Sequence, residues 1–408
     1  MTRIAFIMPT YNRADYIAQS VESVLAQMSH DDELIVVDDG SSDDIEAVLA
    51  PYKGQMRFIQ QANAGKSTAL NNALSQTTAD YIWICDDDDL LSSGAVEFLH
   101  NALASSDADL VFGHFSRFRE EAGQRIDLGT GYWPDLSTGS LQRHTLEDFF
   151  AFHNATLAKR SLYVGLGGFD TAFARSQDYE MLVRAAVTAS MKYVDTSVFL
   201  QRVHDGARGP ARQSHGAGQT QAVWQKFDRI LFERLRDHVP ASFFVSMFES
   251  TTPELAHRAG LLQRACILAR HGLWAEALEG CKEAAKLASG IDLHPIEREI
   301  CRRMTAGKHG FAAMLAPELE QNFKDVASQS RHGRAILAQV ARGLFWRLRS
   351  HEKDDRSAAC RFLARPHVVS ALVANTLKLA PSSEASDLIE REPDREIGRA
   401  ALKNWLPR

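Results

Sequence analysis

Long apolar runs, paired cysteines and a strong excess of either charge are all missing from this 408-residue chain. No stretch reaches the roughly 18 apolar residues that a membrane-spanning helix needs, so no transmembrane span is expected. The chain runs at once into Ile4-Ala5-Phe6-Ile7-Met8, too short for the core of a secretory leader and followed by no cleavage region. The five cysteines, Cys85, Cys266, Cys281, Cys301 and Cys360, contain no C-x-x-C pair, which argues against a zinc site and a disulfide framework alike. A cytoplasmic protein is the expectation. A formal charge of -6 offers no global basis for binding nucleic acid. What remains, 45% hydrophobic and 24% charged residues, is the composition of an ordinary globular chain long enough for two or three domains.

Up to about residue 205, short strand-like runs alternate with helical patterns, which predicts an α/β domain with a mainly parallel sheet and helices on both faces. Ile4 to Met8, Leu34 to Val37, Met56 to Ile59, the run ending at Cys85, Leu110 to Phe112 and Tyr193 to Val203 read as strands. Helical spacing is found from Tyr16 to Gln27, from about Ala69 to Leu74, from Ser93 to Ala104 and from Gln177 to Thr188. The stretch Gly123 to Gly139, around Tyr132-Trp133-Pro134, lacks periodicity and reads as a functional loop. Asp205 to Gly218 is Gly-rich and polar, suited to a lid or linker. Strand signals then cease. The predicted division is 1–218 for the α/β domain and 219–408 for an all-α region, with a tetratricopeptide-like helical hairpin near 258–290.

The densest chemical signal is Asp86-Asp87-Asp88-Asp89, four carboxylates placed at the end of the apolar run Tyr81-Ile82-Trp83-Ile84-Cys85. Ligands of open α/β sheets bind beyond the carboxyl ends of strands, and carboxylates there suit a hard divalent cation. A solvated acidic turn is the plain alternative. Gly65-Lys66-Ser67 is not a P-loop, because the motif requires glycine where the chain has Gln60. Lys66 nevertheless opens a helix and is a candidate to meet a diphosphate.

Taken together and in order, Pro9-Thr10-Tyr11-Asn12-Arg13, Asp38-Asp39-Gly40-Ser41-Ser42-Asp43, Asn63-Ala64-Gly65, Asp86-Asp87-Asp88-Asp89 and Gln177-Asp178-Tyr179-Glu180 resemble the family 2 glycosyltransferases of the GT-A fold. The resemblance spans about residues 1–205. It implies an inverting, hexosyltransferase-type enzyme that uses Mn²⁺ or Mg²⁺ and a nucleotide-sugar donor, with UDP the expected nucleotide. The implied acceptor is a glycan, lipid-linked or protein hydroxyl, in cell-surface glycan synthesis.

By the same resemblance, Thr10, Tyr11 and Arg13 form the nucleotide-facing turn and Asp39 meets the base. Asp86 approaches the ribose, Asp87 lies on the donor side and Asp88 holds the metal. The bare pattern also fits Asp87-x-Asp89. Asp178 resembles the catalytic base, with N-capping of its helix as the plain alternative. His204 resembles the histidine that completes the metal shell in some members, against an ordinary surface histidine.

Two other functions stay open at this stage. One is a helical interaction protein with a silent nucleotide-sugar-binding domain. The other is a sugar nucleotidyltransferase, disfavoured because residues 9–13 contain no glycine for an activating loop. Residues 331–367 carry nine Lys/Arg against three Asp/Glu and an apolar stripe of Leu337, Val340, Ala341, Leu344, Phe345 and Leu348. That pattern suits either peripheral contact with an anionic membrane or a core-facing helix with a solvated basic face. The acidic segment near Glu384 to Glu396 is expected at the surface.

Overall fold

A computed structural model of the chain describes residues 2–204, 220–306, 310–350, 352–376 and 387–406. The Gly-rich stretch 205–218 lies outside the described residues. Two compact units are present. The first comprises the described residues up to Leu136 and within Phe149–Phe227; the second comprises those of Ser137–Asp148 and Asp228–Trp405. Segment 137–148, which chain order alone assigns to the N-terminal domain, is therefore part of the helical unit.

The first unit is built on a sheet of β1 (Ile4–Thr10), β2 (Glu33–Asp38), β3 (Arg57–Gln60), β4 (Tyr81–Ile84), β5 (Leu90–Leu91), β6 (Leu110–Glu121), β7 (Gln124–Thr130), β8 (Thr156–Lys159) and β9 (Met191–Arg202). Strand order is β3-β2-β1-β4-β8-β6-β9-β5, with β7 paired to β6. The β3-β2-β1-β4 run is parallel, as the alternation of strands and helices predicts. Beyond it β8 runs antiparallel to both β4 and β6, so the sheet as a whole is mixed. β1 is buried along its whole length, and Phe6 stacks on Trp83 of β4 with ring centroids 5.9 Å apart at the centre of the core. Parallel register aligns Thr10 with Asp38 and Asp38 with Gln60. The turns after these strands thus leave the sheet at one edge.

The stretch read as a loop from Gly123 onward is in part a hairpin strand. Ala122 (φ +49°) and Gly123 (φ +76°) form a two-residue turn with both residues left-handed, which returns β7 antiparallel along β6. β7 is exposed at nearly every position, so it lacks the apolar alternation by which strands are recognised. Trp133 beyond it packs against Phe150 and Tyr193, with centroids 5.1 and 5.4 Å away.

The second unit is mainly helical. Helices Pro253–Arg270 and Trp274–Ala284 pack together across Gly272 (φ +83°). At the buried centre Glu147 accepts from Arg303 (3.0 Å), Arg143 (3.4 Å) and Gln263 (2.8 Å), and its backbone carbonyl accepts from Arg270. Within the expected acidic surface segment, Ile389–Glu390 pairs antiparallel with Phe248–Glu249, and Glu390 lies 2.6 Å from Arg143. Leu337, Val340, Ala341 and Leu344 are buried, so that part of the apolar stripe faces the interior of the unit; Phe345 and Leu348 are exposed. No helix among the described residues is long and apolar enough to cross a membrane.

Candidate active site

The turn after β1 is stapled to the turn after β2. Asn12, held at φ +54°, donates its backbone N–H to Ser41 Oγ (2.9 Å) and accepts from the Ser42 N–H (2.7 Å), while Asp43 accepts from the Ala14 N–H (2.9 Å). Asp38 accepts from the Ser41 N–H (2.9 Å), which makes it a support of the turn. Buried Asp39 accepts three hydrogen bonds, from the Gln61 side chain (2.8 Å) and the backbone N–H groups of Ala64 (2.9 Å) and Gly65 (2.8 Å). A carboxylate has about four acceptor positions, and these bonds occupy three of them. Thr10 is buried at the end of β1; Tyr11 and Arg13 are half-buried in the turn.

The four aspartates have different environments. Asp86 Oδ1 pairs with Lys66 Nζ at 2.6 Å, and Asn154 contacts Asp86 twice, accepting from its N–H (2.9 Å) and donating to Oδ2 (3.2 Å). Arg13 Nε lies 3.9 Å from Asp87 and 3.7 Å from Asp88. Asp88 Oδ2 lies 3.0 Å from His204 Nε2, and the His204 ring stacks on Tyr16. Asp89 points inward, accepting from the Asn154 side chain (2.7 Å) and the Arg202 N–H (2.8 Å). Arg202 also donates to the Asp88 carbonyl (2.8 Å) and so clamps the end of the run.

Crowding sets the electrostatics. Burial, then the charge of Asp88, pushes the Asp87 carboxyl up to about 7. Burial likewise raises Asp86, with Lys66 opposing the rise. Lys66 itself ends above the ordinary lysine range: burial works against its cation, but Asp178 and Asp86 outweigh that cost.

Asp178 reaches the same place from a separate element. Its helix, Gln177–Thr188, begins after Ser176 (φ +56°), so Asp178 stands inside the first turn and not at the cap. Glu180 and Arg184 form a fully buried pair at 2.6 Å, and Arg184 donates onward to the carbonyls of Leu166 and Gly168. Asn71 holds the adjoining Phe169 through its N–H (2.7 Å) and carbonyl (2.8 Å). These bonds tie the helix of Asp178 to that of Lys66, Lys66–Gln76. Asp178 Oδ1 lies 3.9 Å from Lys66 Nζ and 3.5 Å from His153 Nδ1. Burial would raise its carboxyl, but these two neighbours hold it well below the usual range.

Lys66 thus gathers Asp86 and Asp178, and Arg13 lies near Asp87 and Asp88 with His204 on Asp88; the two groups meet where Asp86 adjoins Asp87, and Asp39 lies at the neighbouring turn. The register Asp86-x-Asp88 leaves both named carboxylates half-buried, with Asp89 enclosed. Sequence reasoning missed His153, Asn154 and Arg202. His153 and Asn154 form an ordinary-looking dipeptide before β8, and only the β4–β8 pairing brings it to the aspartates. Among the described residues no group of three His, Cys, Asp or Glu side chains is gathered as a ready metal cage.

Residues 5–164 match the model of Glycosyl transferase family 2. The poly(ribitol-phosphate) beta-N-acetylglucosaminyltransferase TarP of Staphylococcus aureus is 38% identical over 121 residues, covering 28% of this chain and 37% of that protein. The glycosyltransferase GlyG of Streptococcus pneumoniae is 32% identical over 132 residues, 31% of this chain and 44% of the relative. A chondroitin synthase of Escherichia coli is 26% identical over 204 residues, 49% of this chain and 29% of the relative. The matched segment spans less than half the length of each of these proteins.

Proposed function

The N-terminal unit carries a family 2 glycosyltransferase domain, and from that premise we propose that the protein transfers a sugar, with inversion, from a UDP-linked donor to an acceptor hydroxyl in surface-glycan synthesis. The observation that carries this reading is the convergence of Asp86 and Asp178 on Lys66, at 2.6 and 3.9 Å, from positions 92 residues apart in the chain. This nearness supports a donor contact at Asp86 and a base at Asp178. Asp39 would accept from an N–H of a base such as uracil. Asp178 would take the proton of the acceptor hydroxyl as it attacks the anomeric carbon.

Asp88 and His204 fit a divalent cation. Their carboxylate and imidazole atoms are 3.0 Å apart, and Mg²⁺ or Mn²⁺ usually takes only one or two protein ligands with phosphate oxygens and water. Bound there, the ion would stabilise the charge of the departing diphosphate. Arg13 and Lys66 would add fixed positive charge on either side of it.

A panel of nucleotide sugars that includes UDP-N-acetylglucosamine, incubated with Mn²⁺ and candidate glycan, lipid-linked and protein acceptors, tests the proposal. Release of UDP is expected, with Asp178→Asn losing turnover and keeping donor binding. Full activity of Asp178→Asn overturns the assignment of the base. Nucleotide binding without product across the panel would favour a silent sugar-nucleotide-binding domain.

A further inference from the structure

In the helical unit, the short 3-10 helix Phe345–Arg349 has three residues per turn, so residues three apart line up along its axis. Burial follows that period. Leu344 and Arg347 are buried, whereas Phe345 with Leu348, and Trp346 with Arg349, are exposed. Two of the three faces therefore carry large apolar groups into solvent: Phe345 is 47% exposed, Trp346 52% and Leu348 38%.

The third face anchors the display. Arg347 pairs with Asp355 at 2.5 Å, donates to the Thr305 carbonyl at 3.2 Å and lies 4.3 Å over the Phe311 ring. The same guanidinium is 4.5 Å from the Trp346 ring centre, so Trp346 is supported from inside while half of its surface meets water. Positive charge is exposed in and after the turn. Arg349 is part of it, and Arg342 precedes it, held below its ordinary value by partial burial and by the charges of Arg302 and Arg298. The exposed carboxylates that follow, Glu352 and Asp354, are outnumbered by exposed Lys353, Arg356 and Arg361.

We propose that this turn is a docking site for an anionic lipid surface, with Phe345, Trp346 and Leu348 entering the headgroup region and Arg349 and Arg342 meeting lipid phosphates. A soluble phosphate or glycan polymer has use for the arginines and for Trp346 but leaves Phe345 and Leu348 without a partner, which favours lipid. Phe345 and Leu348 are the exposed end of the apolar stripe, whose helical part is buried, so the contact narrows to this turn. It stands independently of glycosyl transfer.

The full chain is to be sedimented with phosphatidylcholine vesicles, with and without phosphatidylglycerol. Binding to the anionic vesicles alone is expected, with release by salt. Phe345→Ser/Trp346→Ser lowers partitioning roughly tenfold or more, and Arg349→Glu lowers it about fivefold or more. Circular dichroism and the unfolding midpoint check that the variants fold, and Leu348→Ser alone serves if the double variant does not. Three results overturn the proposal: no binding of the unaltered chain to anionic vesicles, undiminished binding of the folded variants, or binding of soluble polyphosphate in place of vesicles that survives loss of the aromatic pair.

Discussion

Lys66 and Asp86 form a 2.6 Å ion pair whose cation also faces Asp178 at 3.9 Å. One positive charge thus lies between the carboxylates proposed as donor contact and base, and a donor diphosphate would be drawn to the same ammonium. Lys66→Met is expected to weaken donor binding about tenfold or more, the scale of a lost charged hydrogen bond. It also removes a cation that holds Asp178 down, so the Asp178 carboxyl rises. A base works only when ionised. The acid limb of the kcat/KM profile therefore moves to higher pH in the variant, and an unmoved limb would separate Asp178 from the limb.

Asp88 and Asp89 are neighbours with different duties, and their variants separate activity from stability. Asp89→Ala removes the shorter of two acceptors of the buried Asn154 amide and the acceptor of the Arg202 N–H. A loss of about 1–3 kcal/mol in urea unfolding is expected. Asp88→Asn, which gives up its pairing with Arg13 and His204 but also its repulsion of Asp87, is expected to cost less than Asp89→Ala in urea unfolding, while turnover collapses.

Chelation with EDTA is expected to stop UDP release, and added Mn²⁺ to restore it. His204→Ala is expected to raise the Mn²⁺ concentration for half-maximal activity about tenfold or more, within the range found for groups that tune a metal site. An unchanged Mn²⁺ requirement would make His204 a support for Asp88 and Tyr16 only.

The helical unit has its own pH signature. Burial alone would raise Glu147, but Arg303, Arg143 and Arg270 hold its folded-state carboxyl far below the ordinary range. A depressed carboxyl stabilises the fold above its unfolded value, near 4.3, and that contribution is lost as pH falls below it toward the folded value. Denaturant midpoints are therefore expected to drop between about pH 5 and pH 3, with a shallower drop in Glu147→Gln. Glu147→Ala, which removes the buried carboxylate shared by Arg303, Arg143 and Arg270, is expected to cost about 3–5 kcal/mol at neutral pH.

Much of the first unit is legible from local pattern. The runs that became β1, β2 and β4 are continuous and apolar because those strands are covered on both faces, and the polar turns after them could only lie at the sheet edge. β7 is hidden for the opposite reason, since an exposed hairpin strand needs no apolar residues and leaves only its turn as a signal. Segment 137–148 shows nothing in its composition of its place in the helical unit, because Glu147 earns its burial through Arg303, Arg270 and Gln263, more than a hundred residues away.

The sequence by itself determined the α/β class, the change to helices and the positions of the carboxylates, because periodicity and motif order are properties of neighbouring residues. Only the tertiary structure decided how the surroundings of the aspartates differ. Four adjacent carboxylates are equivalent in the chain; they differ once Lys66, Asn154, Arg13, His204 and Arg202 arrive from other elements. The same holds for the apolar stripe beyond residue 336. Its hydrophobicity was evident from spacing, but which members are buried and which face water followed from the anchoring of Arg347 on Asp355 and Thr305.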